Sequence, residues 1–246
     1  MTKLSATIIT LNEERNIGDC IRSLGFADQI IVIDSESRDR TREIAKAAGA
    51  EVHTREFTNF SEQKNHAASM ASGEWIFCVD ADERVTRELA ASIRKTAESN
   101  PPQNAFAVKR RSVIFGSPFR FSGTQNDRPV RLYRKGAAQY VQTIHETLQF
   151  EGALGNLSGV LDHYTLACAR DYVRRLNQYT DFEAALHGTH HKFSAAVIAR
   201  SFARFADIYG LKLGFLDGLP GLRYAIFSAW YECVKQCKTA ERRNFK

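Results

Sequence analysis

Residues 75–85 read WIFCVDADERV. Trp75-Ile76-Phe77-Cys78-Val79 is a continuous apolar run, the pattern of a short strand buried on both faces. It runs directly into Asp80-Ala81-Asp82-Glu83. Carboxylates this close repel one another, so the cluster needs a reason. A strand that has simply ended in a polar turn is one reason; a divalent cation held by Asp80 and Asp82 is the other. The flanking sequence decides between them.

Toward the N-terminus the chain alternates strand and helix. Ala6-Thr7-Ile8-Ile9 is a β-branched strand that stops at Leu11-Asn12-Glu13. The following NEERNIGDCIRSL has helical spacing, with Ile17, Cys20, Ile21 and Leu24 on one face, and Thr10 with Glu13 has the capping-box spacing. Gln29-Ile30-Ile31-Val32-Ile33 is a second strand, ending at Asp34-Ser35. A helix over about 40–48 closes at Gly49, a C-cap candidate. Glu51-Val52-His53 is a third strand, and a helix over 61–71 stops at Gly73. This series predicts an α/β fold with a mostly parallel, right-handed, doubly wound sheet. Ligands of such sheets bind at the carboxyl ends of the strands. Asn12-Glu13, Asp34-Ser35 and Asp80-Ala81-Asp82 all stand there and should converge on one crevice. Neither a GxGxxG nor a GxxxxGK[ST] sequence is present, so bound phosphate has to be neutralised by other means, and a metal on Asp80 and Asp82 would serve.

The chain of 246 residues is 43% hydrophobic and 25% charged, the mix of a folded soluble protein with room for one large domain and an appendage. MTKLSATIITLNEERN has no apolar run suited to a signal peptide, and no stretch reaches the roughly 18 apolar residues that span a bilayer. Five scattered cysteines, an odd number, suggest reduced thiols in a cytoplasmic setting; Cys233 and Cys237 alone make a poor zinc site. The net charge of +6 is confined to residues 187–246, with ten Lys/Arg and four Asp/Glu; residues 1–186 hold 24 of each.

With TLNEERNIGDCIRSL, ADQIIVIDSESRDRTREIAKAAGAEV, FSEQKNHAASMASGEWIFCVDADERV, VRLYRKG, HETL and GFLDG in this order, the sequence resembles glycosyltransferase family 2, which has the GT-A fold. Within it the chain is similar to the bacterial β-1,4-glucosyltransferases of lipopolysaccharide or lipooligosaccharide core synthesis. The resemblance implies an enzyme moving a sugar, glucose from UDP-glucose by this likeness, onto a lipid-linked saccharide, with inversion. Another cell-surface polysaccharide or a polyprenyl-linked acceptor is the alternative, and a non-catalytic nucleotide-binding membrane scaffold is a more remote one. It also implies Mg²⁺ or Mn²⁺ as cofactor, a Lewis acid for the diphosphate leaving group, and hard oxygen ligands suit these ions. Asp82 would be the direct ligand, with Asp80 touching the metal or the ribose, and Glu83 would be structural. Thr10, Asn12, Glu13, Asp34, Ser35 and Ala81 would lie along the nucleotide sugar, Asp34 at the base. Lys64, beside Asn65 in QKN, would pair with a phosphate. Glu36 stands where the family carries glycine, at a turn that glycine permits and glutamate resists.

Asn100-Pro101-Pro102 breaks the pattern. Beyond it, 105–115 and 130–134 read as strands, separated by the Gly- and aromatic-rich FGSPFRFSGTQND, a candidate loop over the site. An attacking hydroxyl must lose its proton to a nearby base. His145-Glu146 matches a His-Glu element of the family, with Glu146 as base and His145 as metal or phosphate contact; Asp127, ahead of Arg131, is the rival base. Thr124-Gln125-Asn126 replaces the aromatic and Pro residues the family has before this Asp. His163 ends another apolar run and suits either a core position or a metal.

From Asp171 onward helical spacing takes over. Residues 193–209 and 220–238 carry apolar stripes, the second through Leu222, Ile226, Trp230 and Val234, flanked by Arg and Lys. Such helices lie on the inner face of an anionic membrane or pack on the catalytic domain or a second subunit. No nucleic-acid motif accompanies the charge. The expected organisation is a catalytic domain over 1–165, split into a nucleotide-sugar half (1–100) and an acceptor half (101–165), followed by basic helices over 166–246.

Overall fold

A computed structural model describes residues 3–141, 146–186 and 195–241. Its elements run β1 (Leu4–Thr10), α1 (Ile17–Ser23), β2 (Gln29–Asp34), α2 (Thr41–Ala47), β3 (Glu51–Thr54), α3 (Phe60–Met70), β4 (Trp75–Asp80), β5 (Glu83–Val85), α4 (Arg87–Ser99), β6 (Ala105–Ile114), β7 (Ser117–Pro118), β8 (Val130–Arg134), β9 (Ala138–Val141), β10 (Thr147–Phe150), β11 (Leu154–Leu166), α5 (Ala169–Leu186), α6 (Ala195–Ala206) and α7 (Gly218–Glu241). A π-helical turn (Asp207–Leu211) and a 3-10 turn (Gly214–Asp217) join α6 to α7.

The main sheet has the order β3-β2-β1-β4-β8-β6-β11-β5. Its first four strands are parallel, as the alternation predicts, and β8, β6 and β5 pair antiparallel. Helices cover both faces because successive strand residues point to opposite sides. On one face Leu4, Ala6, Ile8, Trp75, Phe77 and Val79 pack with α1, α2 and α4. On the other, Ile31, Ile33, Ile76 and Cys78 pack with α3 and the β9–β10 hairpin. Ile17, Cys20, Ile21 and Leu24 are buried, the face their spacing predicts. Several elements escaped the sequence reading. Among them are the short β5, β7, β9 and β10 and α4, capped by Thr86, whose hydroxyl accepts from Leu89 N–H.

The expected capping box at Thr10 and Glu13 does not form. Thr10 ends β1, and α1 starts later, after Asn16, whose side chain donates to the Glu13 carboxylate. The strand continues one residue further than expected, which places Thr10 opposite Asp34 and leaves residues 11–16 to cross the sheet end. Gly73 does not cap α3 either. A Cβ there would come within 2.7 Å of the Ser5 backbone, so glycine lets the chain pass against β1.

The described chain divides into two compact units, 1–110 with 127–163, and 111–126 with 164–246. The segment 111–126, read as a loop over the site, belongs to the unit of the C-terminal helices. There Asp217, in the GFLDG stretch that sequence alone gave no role, holds it: its carboxylate accepts from Arg120 N–H at 2.9 Å and from Ser122 Oγ at 2.7 Å.

Candidate functional site

Parallel register levels the strand ends. Thr10 lies opposite Asp34, and Ile9 opposite Asp80. The two loops that leave β1 and β2 are stitched together. Asn12 N–H donates to Ser37 Oγ, Arg38 N–H donates to the Asn12 side chain, and Glu13 N–H donates to Thr41 Oγ1, each at 2.8 Å. Asn12 adopts the left-handed conformation (φ 55°), which Asn tolerates better than most residues. Glu36 does so too (φ 64°), at the position where the family carries glycine. The backbone turn is therefore kept and the side chain accepts the strain.

At these ends opens a cavity of about 400 Å³, lined by Ile9, Thr10, Leu11, Glu13, Ser35, Phe57, Phe60, Lys64, Asp80, Ala81, Asp82 and Glu146. Most of the expected donor-site residues thus share one wall, together with Glu146 from the second half of the sequence. Others do not face it. The Asp34 carboxylate is fully buried and accepts from Ser37 N–H and Oγ, holding the turn. The Asn65 side chain pairs with both backbone groups of Tyr140, tying α3 to β9, and lines a second cavity of about 770 Å³. Asp127 accepts from Arg110 Nε at 2.7 Å and is not among the cavity-lining residues. His145 lies outside the described residues, as do His187, His190 and His191.

One ion-pair network links the acidic groups. Lys64 Nζ, nearly fully buried, lies 2.8 Å from Glu146 and 3.4 Å from Asp80. Arg131 bridges Asp80 (2.5 Å) and the fully buried Glu83 (2.6 Å), and Arg110 bridges Glu83 (3.1 Å) and Asp127. The two rival bases, Glu146 and Asp127, sit at opposite ends of this chain of charges. Burial alone would raise the Asp80 carboxyl, but the charges of Arg131 and Lys64 outweigh it and hold the group well below the usual carboxylate range. Burial likewise works against the Lys64 ammonium, and Asp80 foremost among its neighbours more than restores it, so its pKa lies above the ordinary lysine value. Within WIFCVDADERV, Asp80 and Glu83 are thus neutralised by Arg131, Arg110 and Lys64. Asp82 Oδ1 lies 3.4 Å from His163 Nε2, which β11 brings beside β5.

No group of three or more His, Cys, Asp or Glu is gathered for a metal among the described residues. The donor set still fits a hard cation of the Mg²⁺ kind, which takes one or two carboxylates and completes its shell with water and substrate phosphates. Asp82, on the cavity wall beside Asp80, is a carboxylate placed to serve such a cation. All five cysteines are free, and none lines the cavity. Sequence reading missed Phe57 and Phe60 on the cavity wall; the signal was an aromatic pair set among polar residues in REFTNFSEQ.

Comparison with known proteins agrees with the fold. The model of the family described as glycosyl transferase family 2 matches residues 5–155. A lipopolysaccharide core biosynthesis glycosyltransferase, LpsC, of Rhizobium meliloti is 28% identical over 99% of this chain and 94% of its own length. An uncharacterized glycosyltransferase of Rickettsia prowazekii is 31% identical over 75% of this chain and 68% of its own. The crystal structure of S. aureus TarS, 15% identical, superposes with a TM-score of 0.50 over 88% of this chain and 46% of that one, a likeness of fold.

Proposed function

This chain belongs to glycosyltransferase family 2, and on that footing we propose that it moves a hexosyl group, glucose from UDP-glucose by its resemblances, onto a lipid-linked saccharide such as a lipopolysaccharide core, with inversion at the anomeric carbon. The observation that carries this reading is the meeting of Lys64, Asp80, Asp82 and Glu146 in one cavity at the carboxyl ends of a parallel sheet. A relative named for lipopolysaccharide core biosynthesis, matched over nearly its whole length, supports the acceptor class.

The residues divide the work as follows. Lys64 offers its ammonium to a phosphate oxygen. Asp82 would hold a Mg²⁺ or Mn²⁺ ion, which when bound offsets the charge that develops on the departing diphosphate. Asp80, neutralised by Arg131 at Oδ2 and by Lys64 near Oδ1, sets the position of both cations, and its Oδ1 would also accept from a ribose hydroxyl. Glu146 accepts the proton of the attacking hydroxyl. In the structure it is paired with Lys64, so donor phosphates that draw Lys64 toward themselves would leave Glu146 free to act as base. Ile198, Phe202, Leu211, Leu216 and Trp230, all exposed in the second unit, support peripheral attachment to a membrane carrying the acceptor. No described helix is long and apolar enough to cross one.

A donor screen that reads nucleoside diphosphate release, with extracted core lipid as acceptor, tests the activity. Glu146→Gln should lower turnover by roughly 10²–10⁴-fold, the range of a general base, with donor affinity little changed. Asp127→Asn should be milder, since Asp127 faces Arg110. An active Glu146→Gln beside a dead Asp127→Asn would transfer the base to Asp127.

A further inference from the structure

Two large apolar side chains on the cavity wall are left half in water. Phe57 is 44% exposed and Phe60 48%. Their rings meet edge to face, with centroids 5.1 Å apart at 71°. In that geometry one ring offers only its edge, so its flat faces stay uncovered by the other. The backbone that carries the pair is fixed by polar bonds on both sides. Gln63 Nε2 donates to the carbonyls of Arg55 and Glu56 at 3.2 Å each, and Asn59 caps α3 by accepting from Glu62 N–H at 2.9 Å. Exposed apolar rings held this firmly are preorganised for a planar partner.

The place of the pair says which partner. The cavity crosses the sheet ends in the order β3, β2, β1, β4. Phe57 and Phe60 follow β3, Ser35 follows β2, and Asp80 and Asp82 close β4. One end is aromatic and nearly uncharged, and the other is ionic. On α3, Phe60 and Lys64 are four residues apart, so they share a face and stand about 6 Å apart along the axis. A nucleoside diphosphate has the same polarity, a flat base at one end and charge at the other. We propose that Phe57 and Phe60 form the stacking platform for the nucleobase of the donor, with the phosphates directed toward Lys64. An acceptor sugar, the other ring that aromatic faces hold, is the weaker fit, because it has to reach Glu146 at the ionic end. The placement deepens the donor reading given above and depends on it.

Titration calorimetry with UDP and with inorganic pyrophosphate, each in Mg²⁺, tests it on the full chain. Phe57→Leu, Phe60→Leu and the double variant keep an apolar side chain and remove the ring. Stacking of one base on aromatic side chains is worth roughly 5- to 150-fold in affinity, so the double variant should bind UDP at least about tenfold more weakly while pyrophosphate binding stays within about twofold. UDP affinity unchanged in the double variant would overturn the platform and leave the donor reading intact. Parallel loss of pyrophosphate would overturn it as well, showing that the pair supports the cavity wall. A rise in KM for the saccharide acceptor with UDP binding unchanged would assign the rings to the acceptor. Failure of the wild-type protein to bind any nucleoside diphosphate, with pyrophosphate bound, would remove the donor reading and the platform together.

Discussion

Lys64 is the residue on which the site's electrostatics turn, since it is the only side chain in contact with both Asp80 and Glu146 among the ion pairs of the described residues. Removing one partner of a buried pair costs more than the pair itself contributes, because a charge is left without compensation. Lys64→Met should destabilise the fold by about 2–4 kcal/mol, and Lys64→Met with Glu146→Gln should cost about 1–2 kcal/mol less than the two single changes added together. Urea unfolding of the four proteins measures this; additivity within about 0.5 kcal/mol would mean that the contact carries no net energy. Glu36 makes the opposite kind of prediction. A left-handed conformation costs an ordinary residue about 1–2 kcal/mol, and glycine gives back about 0.5–1 through its freer unfolded chain. Glu36→Gly should therefore stabilise by roughly 0.5–1 kcal/mol, or about 1–4 °C in Tm. A lower Tm would mean that the exposed Glu36 side chain makes a contact worth more than the strain. At this scale the sequence was legible where chemistry is local. Asp80, Asp82 and Lys64 announced themselves by residue type at a strand end or beside a helix start. Asp34 and Asn12 stood at equally telling positions, yet their side chains hold turns. Short polar side chains at strand ends serve loops and ligands alike, and spacing does not distinguish the two.

The elements were legible in proportion to their length and periodicity. β1, β2 and β4 are largely apolar, buried strands and could be read directly. β5 has three residues, and its pairing with β11 joins residues 76 to 80 positions apart, which no local pattern records. Nor does sequence show that Thr86 both caps α4 and accepts from Val160 N–H. A similar long-range tie lies at the other end of the sheet. Asp28 accepts from Leu4 N–H at 2.8 Å and from both terminal nitrogens of Arg94 at 3.0 and 2.7 Å, fastening α4 to the start of β1. The hydrogen bonds from Arg94, and then the one from Leu4, hold the Asp28 carboxyl below its ordinary value. A carboxyl depressed in the folded state stabilises above the unfolded value of about 3.9, and that contribution is lost as pH falls below it toward the folded value. The group is more than a third exposed, so solvent screens the pair. Asp28→Asn should cost about 0.5–1 kcal/mol at pH 6, and the gap from wild type should narrow as pH falls from about 4 to 3. Urea midpoints at pH 6, 4 and 3 check this, and a gap of constant size would show that the neutral hydrogen bonds, not the charge, fasten the helix.

For the molecule as a whole, charge and apolar surface are both unevenly placed, and they coincide. All the excess positive charge falls in residues 187–246, and within the described part of that stretch Ile198 is 66% exposed, Phe202 71% and Leu211 83%. Sequence periodicity proposed apolar stripes there but gave no side. The packing of α7 buries Ala225 and Ser228 and turns Ile226 and Trp230 outward, so the stripe read as a helix face is largely the exposed one. Apolar area of this kind on a basic unit is the composition of a surface that lies on anionic lipid. Charge alone would give binding that salt removes, because exposed charges are screened over about 8–10 Å at physiological ionic strength. Apolar faces alone would bind regardless of headgroup charge. The two together predict flotation with anionic vesicles that high salt weakens without abolishing, and weaker flotation for Phe202→Ser, for Trp230→Ala and for charge reversal at Arg200 with Arg223. Because the cavity proposed for the donor is formed entirely within residues 9–146 of the first unit, these variants should keep slow hydrolysis of the donor while losing transfer to a lipid-embedded acceptor. If the wild-type protein stays with the soluble fraction at every salt concentration, the exposed faces instead meet a second copy of the chain. The same variants would then lower the mass measured by light scattering and leave lipid transfer to be limited by the acceptor's own solubility.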